Sequence, residues 1–267
     1  MPKYEANGVT LYYEIHGEGV PFIFLHGLGG DCNQIKKAYN QMENIQLILI
    51  DQRGHGKSTV KWDDMNFYAM ADDIVSLTQY LAIDKFFIGG ISMGAAVSLN
   101  FALRYQNKLL GLILIRAAWI DQPMNEELLQ WFTLLEENLS KEDGKSEYQN
   151  SEGFKEMKKK APKTAESFLR FFDEKPSLHY HKKFVMLPNS KPIEDLTVLR
   201  TLQIPTLILS NDLDPIHPIE YSKILHKHIK NSQYYQIESK VISEELHKEQ
   251  FNKYVNEFIS EQLNLKT

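Results

Sequence analysis

Continuous apolar runs constrain this chain more than any other feature. Val20-Pro21-Phe22-Ile23-Phe24-Leu25, Gln46-Leu47-Ile48-Leu49-Ile50, Lys85-Phe86-Phe87-Ile88, Leu109-Leu110-Gly111-Leu112-Ile113-Leu114-Ile115 and Ile204-Pro205-Thr206-Leu207-Ile208-Leu209 show almost no alternation of polar and apolar residues. A strand with one wetted face alternates, so strands of this kind must be covered on both faces, as in a parallel sheet. Between the runs the period changes: Phe67, Met70, Ala71, Ile74, Leu77 and Leu81 share one side of a helix. Further helices are expected over 33–44, from Ala95 to about Arg104, over 219–228 and over 244–263. Strand–helix alternation specifies an α/β architecture, a mostly parallel central sheet with helices on both faces. In such a sheet, ligands and catalysis gather in loops beyond the carboxyl ends of the strands.

The beginning and the middle of the chain depart from this rhythm. Asn7-Gly8 is a two-residue turn signal before Val9-Thr10-Leu11-Tyr12-Tyr13-Glu14-Ile15, which reads as a hairpin. From Trp119 to Asp195 the alternation stops, and Leu128, Leu129, Phe132, Leu135 and Leu139 line one helical face opposite Glu126, Glu127, Glu136 and Glu137. The expected organisation is therefore a core made of residues 1–118 and 196–267, with a helical cap over 119–195. Phe168, Phe171 and Phe172 either line a pocket beneath that cap or fasten it to the body. A last strand over 232–237 precedes the terminal helix, which contains His247.

Charge and composition exclude several function classes. A net charge of −5 over 267 residues lacks the clustered excess of Lys and Arg that nucleic acid requires. The basic run Lys158-Lys159-Lys160 reads as a solvated helix face. No apolar stretch approaches the roughly 18 residues of a membrane span. Met1-Pro2-Lys3-Tyr4-Glu5 has no apolar signal core, and the single cysteine, Cys32, cannot pair within the chain. Both point to the cytoplasm, with Cys32 a small buried hydrophobe.

Three of the strands end in residues with chemical potential: His26-Gly27, Asp51 and Ser92. Gly89-Gly90-Ile91-Ser92-Met93-Gly94 joins a strand to a small-residue helix, the context in which a tight turn projects a serine as a nucleophile. A serine hydroxyl needs a base to take its proton as it attacks. Histidine suits this because it exchanges a proton near neutrality, while a carboxylate fixes its tautomer.

Together these motifs resemble the α/β-hydrolase family over nearly the whole chain. His26-Gly27 is similar to its oxyanion-loop motif, Asp51-Gln52-Arg53-Gly54-His55-Gly56-Lys57-Ser58 to its Asp-x-Arg-Gly-x-Gly-x-Ser segment, and Gly90-Ile91-Ser92-Met93-Gly94 to its nucleophile elbow. Asp214-Pro215 is similar to its acid loop. The resemblance implies a triad of Ser92, Asp214 and His247 in the family's chain order, with the backbone N–H groups of Leu28 and Met93 as the oxyanion hole. The family's Gly-His after the last strand is missing here; His247 is the one histidine beyond that strand, with His217, His226 and His228 as alternatives. Asp212 and Asp121 are alternatives to Asp214, and His26 and His55 read as loop supports.

The implied function is a serine hydrolase, carboxylesterase-like, cleaving an ester-type bond of a small and partly apolar substrate through an acyl-enzyme. It implies no metal or other cofactor, and a small-molecule substrate as partner. Alternatives on the same fold are cleavage of a carbon–carbon bond, a lactone, a thioester or an amino-terminal peptide bond, or a ligand-binding receptor without turnover.

Overall fold

The computed structural model describes residues 2–264. Its sheet has eight strands in the order β1-β2-β4-β3-β5-β6-β7-β8. The opening hairpin, β1 (Lys3–Ala6) and β2 (Val9–His16), turns at Asn7 and Gly8, both with positive φ. β2 runs antiparallel to β1 and to β4 (Ile45–Asp51). From there every pairing is parallel: β4 with β3 (Val20–Leu25), β3 with β5 (Phe86–Ile91), then β6 (Leu109–Ile115), β7 (Thr206–Ser210) and β8 (Ser232–Gln236).

The unalternating runs are explained by two separate cores. Ile23, Leu25, Ile48, Ile50, Ile88, Leu112 and Leu114 enter one cluster, with α2 (Phe67–Tyr80) and α3 (Met93–Tyr105). Their sequence neighbours Phe22, Phe24, Leu47, Leu49, Phe87 and Ile113 enter the other, with α1 (Cys32–Ala38). Successive side chains point to opposite faces, so a strand covered on both must be apolar throughout. The expected 33–44 helix is cut short. Asp31 caps α1 by accepting from the Asn33 N–H at 2.8 Å, and Tyr39 is already extended, its successor Asn40 donating to the Asn252 side chain at 2.6 Å.

Between β6 and β7 lies an all-helical insertion: α4 (Glu126–Leu139), α5 (Gly144–Asn150), α6 (Glu152–Lys160), α7 (Pro162–Arg170), α8 (Lys175–His179) and α9 (Lys183–Met186). Its Leu128, Phe132, Phe168 and Phe184 join the same cluster as one face of the sheet. α10 (Ile219–His228) and α11 (Glu244–Asn264) complete the chain; Val255, Phe258 and Ile259 of α11 cover the second face. Among the described residues, no helix is long and apolar enough to cross a membrane.

Lys183 ties the insertion to the body. Its side chain is fully buried, and Nζ donates to the Gly54 carbonyl at 3.0 Å and the Pro176 carbonyl at 3.4 Å. Burial pushes its ammonium down from 10.5 to about 7. Between those values the unfolded chain holds a proton that the folded chain has released, so stability rises as pH increases through that window. Urea unfolding at pH 7 and pH 9 is expected to show a higher midpoint at pH 9, and a smaller gain in Lys183→Met. An identical gain in the variant would remove Lys183 as the source.

Candidate active site

The register of the sheet places three side chains in a row. Ile91 pairs with Ile115 and Ile115 with Leu209, so Ser92 and Arg116, just beyond β5 and β6, lie level with Ser210 at the end of β7. Ser92 N–H donates to the Ile115 carbonyl at 2.9 Å, and Arg116 N–H to the Leu209 carbonyl at 2.8 Å. Asp214 follows in the loop after β7.

Ser92 stands between β5 and α3 with φ +58 and ψ −113, a conformation costly for an L residue and held by its surroundings. Those surroundings require glycine at two points. A Cβ at Gly90 would lie 2.2 Å from the Gly94 carbonyl carbon, and one at Gly94 would lie 2.4 Å from the Leu25 carbonyl oxygen. The turn therefore packs against the end of β3. Met93 opens α3, so its N–H belongs to the first turn, which has no intrahelical acceptor. Leu28 lies in the loop after β3 that holds the other expected amide. That loop is pinned by Gly27 N–H donating to Gln34 Oε1 at 2.7 Å, and at Gly29 (φ +77) Phe171 of the insertion rests where a Cβ would be.

A cavity of about 910 Å³ opens above the strand ends, with Leu28, Ser92, Arg116, Asp214, His217 and Lys240 on its wall. Trp119, Phe132, Phe168 and Phe171 supply its apolar side. Phe168 and Phe171 thus line the cavity and also pack, with tilted rings, against Phe132 and Phe184 respectively, whereas Phe172 packs on Tyr148 away from it.

The structure pairs Asp214 with a different histidine from the one expected. His217 Nδ1 lies 2.8 Å from Asp214 Oδ2, and Arg116 pairs with the same oxygen. Asp214 Oδ1 accepts from the Ile216 N–H at 3.1 Å, which fixes the turn. His247, on the first turn of α11, meets the Glu238 carbonyl through Nδ1 at 2.7 Å instead. It is 5% exposed, and burial lowers its imidazole to about 4 against the opposing pull of that carbonyl. His247 therefore braces the loop after β8, and the expected contact with Asp214 is not made. Among the described residues, Ser92 Oγ hydrogen-bonds to neither imidazole. His226 and His228 bond to Ser232 and to the Ile224 carbonyl, and Asp212 faces Gln236.

The His217 ring is held in one orientation. Nδ1 also lies 3.1 Å from an Arg116 amine, but one ring nitrogen cannot donate to a carboxylate and accept from a guanidinium together. The shorter contact, and the pairing of that same amine with Asp214, assign the Nδ1 proton to the carboxylate. Nε2 is then a bare lone pair, buried and without a partner among the described residues. Burial lowers the His217 pKa below the ordinary value, with Asp214 opposing and Arg116 assisting. Burial alone would raise the Asp214 carboxyl; His217 and Arg116 outweigh it and hold it well below the usual carboxylate range.

The Asp51–Ser58 segment, by contrast, has a framework role. Asp51 Oδ1 and Oδ2 accept from the Cys32 and Lys57 N–H groups at 2.8 Å each. Ser58 accepts from the Tyr12 N–H at 2.8 Å and donates to the Asp51 carbonyl. His26 Nε2 accepts from the Gln52 N–H at 3.0 Å, binding the two loops together. Arg53 makes two parallel 2.7 Å bonds to Asp73 and a third, of 3.0 Å, to the Asp64 carbonyl.

The chain matches the alpha/beta hydrolase fold family over residues 20–240. It belongs to that family. The AB hydrolase superfamily protein YisY of Bacillus subtilis (strain 168) is 27% identical over 241 residues, 84% of this chain and 85% of that protein. A thermophilic esterase from Thermogutta terrifontis superposes with a TM-score of 0.73 at 23% identity, covering 97% of each chain. The esterase EaEST from Exiguobacterium antarcticum gives 0.75 at 21% identity, over 95% of this chain and 97% of that one. At such identities these two structures speak for the hydrolase fold alone.

Arg116 and Lys240 are the cavity residues that sequence reasoning missed. Arg116 had a signal, a cation directly after the apolar run of β6 and so at the chemically active edge of the sheet. Lys240 had one only by position, in the loop where the family carries Gly-His.

Proposed function

We propose that this α/β hydrolase is a serine hydrolase acting on an ester-type bond of a small, partly apolar substrate. Ser92 is the nucleophile and His217, in place of His247, its base. The observation that carries the reading is the unpartnered Nε2 of His217, held by Asp214 on the wall of the cavity that also holds Ser92. Ser92 Oγ attacks the carbonyl as its proton passes to Nε2, and the N–H groups of Leu28 and Met93 receive the developing oxyanion. Collapse returns the proton to the departing alcohol and leaves the acyl group on Ser92; water then repeats the sequence. Asp214 stays ionised throughout and steadies the imidazolium. Phe132 and Phe168 favour an apolar portion of the substrate, and the two esterases named above make an ester the first bond to try. The lone buried Cys32 suits a cytoplasmic protein.

Arg116 favours a second reading, a ligand-binding protein without turnover, because it shares the carboxylate that should serve the base. Treatment with a fluorophosphonate followed by peptide mass mapping separates the two. The hydrolase is expected to carry one phosphonyl group on Ser92; an unlabelled Ser92 in folded protein would leave the binding reading.

A further inference from the structure

Three non-glycine residues at this site hold a backbone conformation that glycine adopts most freely: Ser92 (φ +58), Arg116 (φ +52) and Leu213 (φ +59), the last directly before Asp214. Such strain persists only where the surroundings impose it. At Ser92 it belongs to the nucleophile's turn. At Arg116 the N–H is tied to the Leu209 carbonyl at 2.8 Å while the side chain rests on Asp214.

Arg116 is more than an anchor for the loop after β7, because the turn carrying Asp214 is already fixed by Oδ1 accepting from the Ile216 N–H at 3.1 Å. The guanidinium pairs with Oδ2, the oxygen that also accepts the His217 Nδ1 proton, and lies 3.1 Å from that nitrogen. Its Nε is buried and has no partner among the described residues, so the side chain is committed to this one pair. The Arg116, Asp214 and His217 side chains are 16%, 15% and 10% exposed, too little for solvent ions to screen them fully.

We propose that Arg116 is a positioning residue for the base: it holds the carboxylate oxygen that orients His217, and its positive charge stands against a second one on that ring. The proposal rests on the serine-hydrolase reading with His217 as base. Protonating the ring would set two cations 3.1 Å apart at one carboxylate oxygen, a like-charge contact that disfavours the imidazolium. Asp214 favours the imidazolium, and Lys240 in the loop after β8 opposes it. From α11, Glu244 lines the same cavity, and His247 feels both Arg116 and Asp214. Among these groups Arg116 is the cation in contact with the ring. The consequence is a base that stays ready for the Ser92 proton in mildly acid solution.

The test follows kcat/KM for 4-nitrophenyl acetate across the acid limb in the unaltered protein, Arg116→Gln and Arg116→Lys. In Arg116→Gln the acid midpoint is expected to rise by about one pH unit. Arg116→Lys keeps the charge and should leave the midpoint near that of the unaltered protein. Independently of turnover, His217 is titrated by proton NMR in Ser92→Ala protein, its signal assigned by loss in His217→Gln. There, too, Arg116→Gln should raise the midpoint by about one unit. Arg116→Met replaces Arg116→Gln in both measurements if the latter does not fold.

An NMR midpoint unmoved or lowered by loss of the guanidinium would overturn the proposal. A rise in Arg116→Lys as large as in Arg116→Gln would also overturn it, making the effect one of shape and not of charge. If no ester reacts while the NMR midpoint still rises in Arg116→Gln, control of the ring by Arg116 stands and the hydrolase reading falls. If turnover needs His217 but its midpoint ignores Arg116, the hydrolase reading stands and the proposal falls.

Discussion

His217→Ala is expected to lower kcat for a reactive ester by about a thousandfold or more while KM changes little. The reason is geometric: Nδ1 is fixed on Asp214 at 2.8 Å, leaving Nε2 as a lone pair with no other partner. Removing it strands the Ser92 proton, an effect confined to the transition state, so kcat and kcat/KM fall together. His247→Ala is expected to cost less than about tenfold in rate, because its ring secures the Glu238 carbonyl at 2.7 Å. Its effect should appear mainly as a lower unfolding temperature. The pH profile gives the sign independently. The base must be neutral, and burial disfavours the imidazolium of His217, so kcat/KM should lose half its value only at a pH below 6.5, the ordinary imidazole midpoint. Steady-state kinetics on the two variants decide the matter. A collapse in His247→Ala with His217→Ala active would return the base to the position first expected from chain order.

Asp73→Ala is the substitution expected to damage stability most. Arg53 is 1% exposed and Asp73 3%, and their paired 2.7 Å bonds sit between the Asp51–Ser58 loop and α2. Deleting the carboxylate leaves a buried guanidinium with the Asp64 carbonyl as its remaining acceptor. Breaking a buried pair in this way costs about 3–5 kcal/mol. For a chain of this size that is a fall in Tm of roughly 10 °C. Replacing both residues, Arg53→Met with Asp73→Ala, should recover a substantial part of the loss, because no charge is then left desolvated. Thermal unfolding of the two single variants and the double variant measures this coupling. If the double variant were as unstable as the sum of the singles, the pair would not be what holds this loop.

What could be read from the sequence was whatever contiguous residues specify. The parallel sheet followed from apolar runs, and the turn at Ser92 from glycines at 90 and 94, whose missing side chains make room for their own neighbours and for β3. Asp51–Ser58 stood out as a motif, yet its purpose stayed hidden because the partner that explains Arg53 is Asp73, twenty positions away on α2. The histidine that meets Asp214 was the least legible point. Chain order favoured a histidine after the last strand, but a turn of three residues brings His217 back onto Asp214, while the first turn of α11 directs His247 to Glu238. Arg116 and Lys240 escaped notice because an isolated cation has no periodicity; only the fold brings Arg116 onto Asp214 and Lys240 onto the same cavity wall.

The contact between Phe171 and Gly29 joins the apolar wall of the cavity to the loop after β3. Phe171, from the insertion, lines the cavity, while Gly29 directly follows Leu28, the residue proposed to offer its amide to the oxyanion. Bulk at position 171 therefore sets both the shape of the cavity's apolar wall and the firmness with which the Gly29 turn is held.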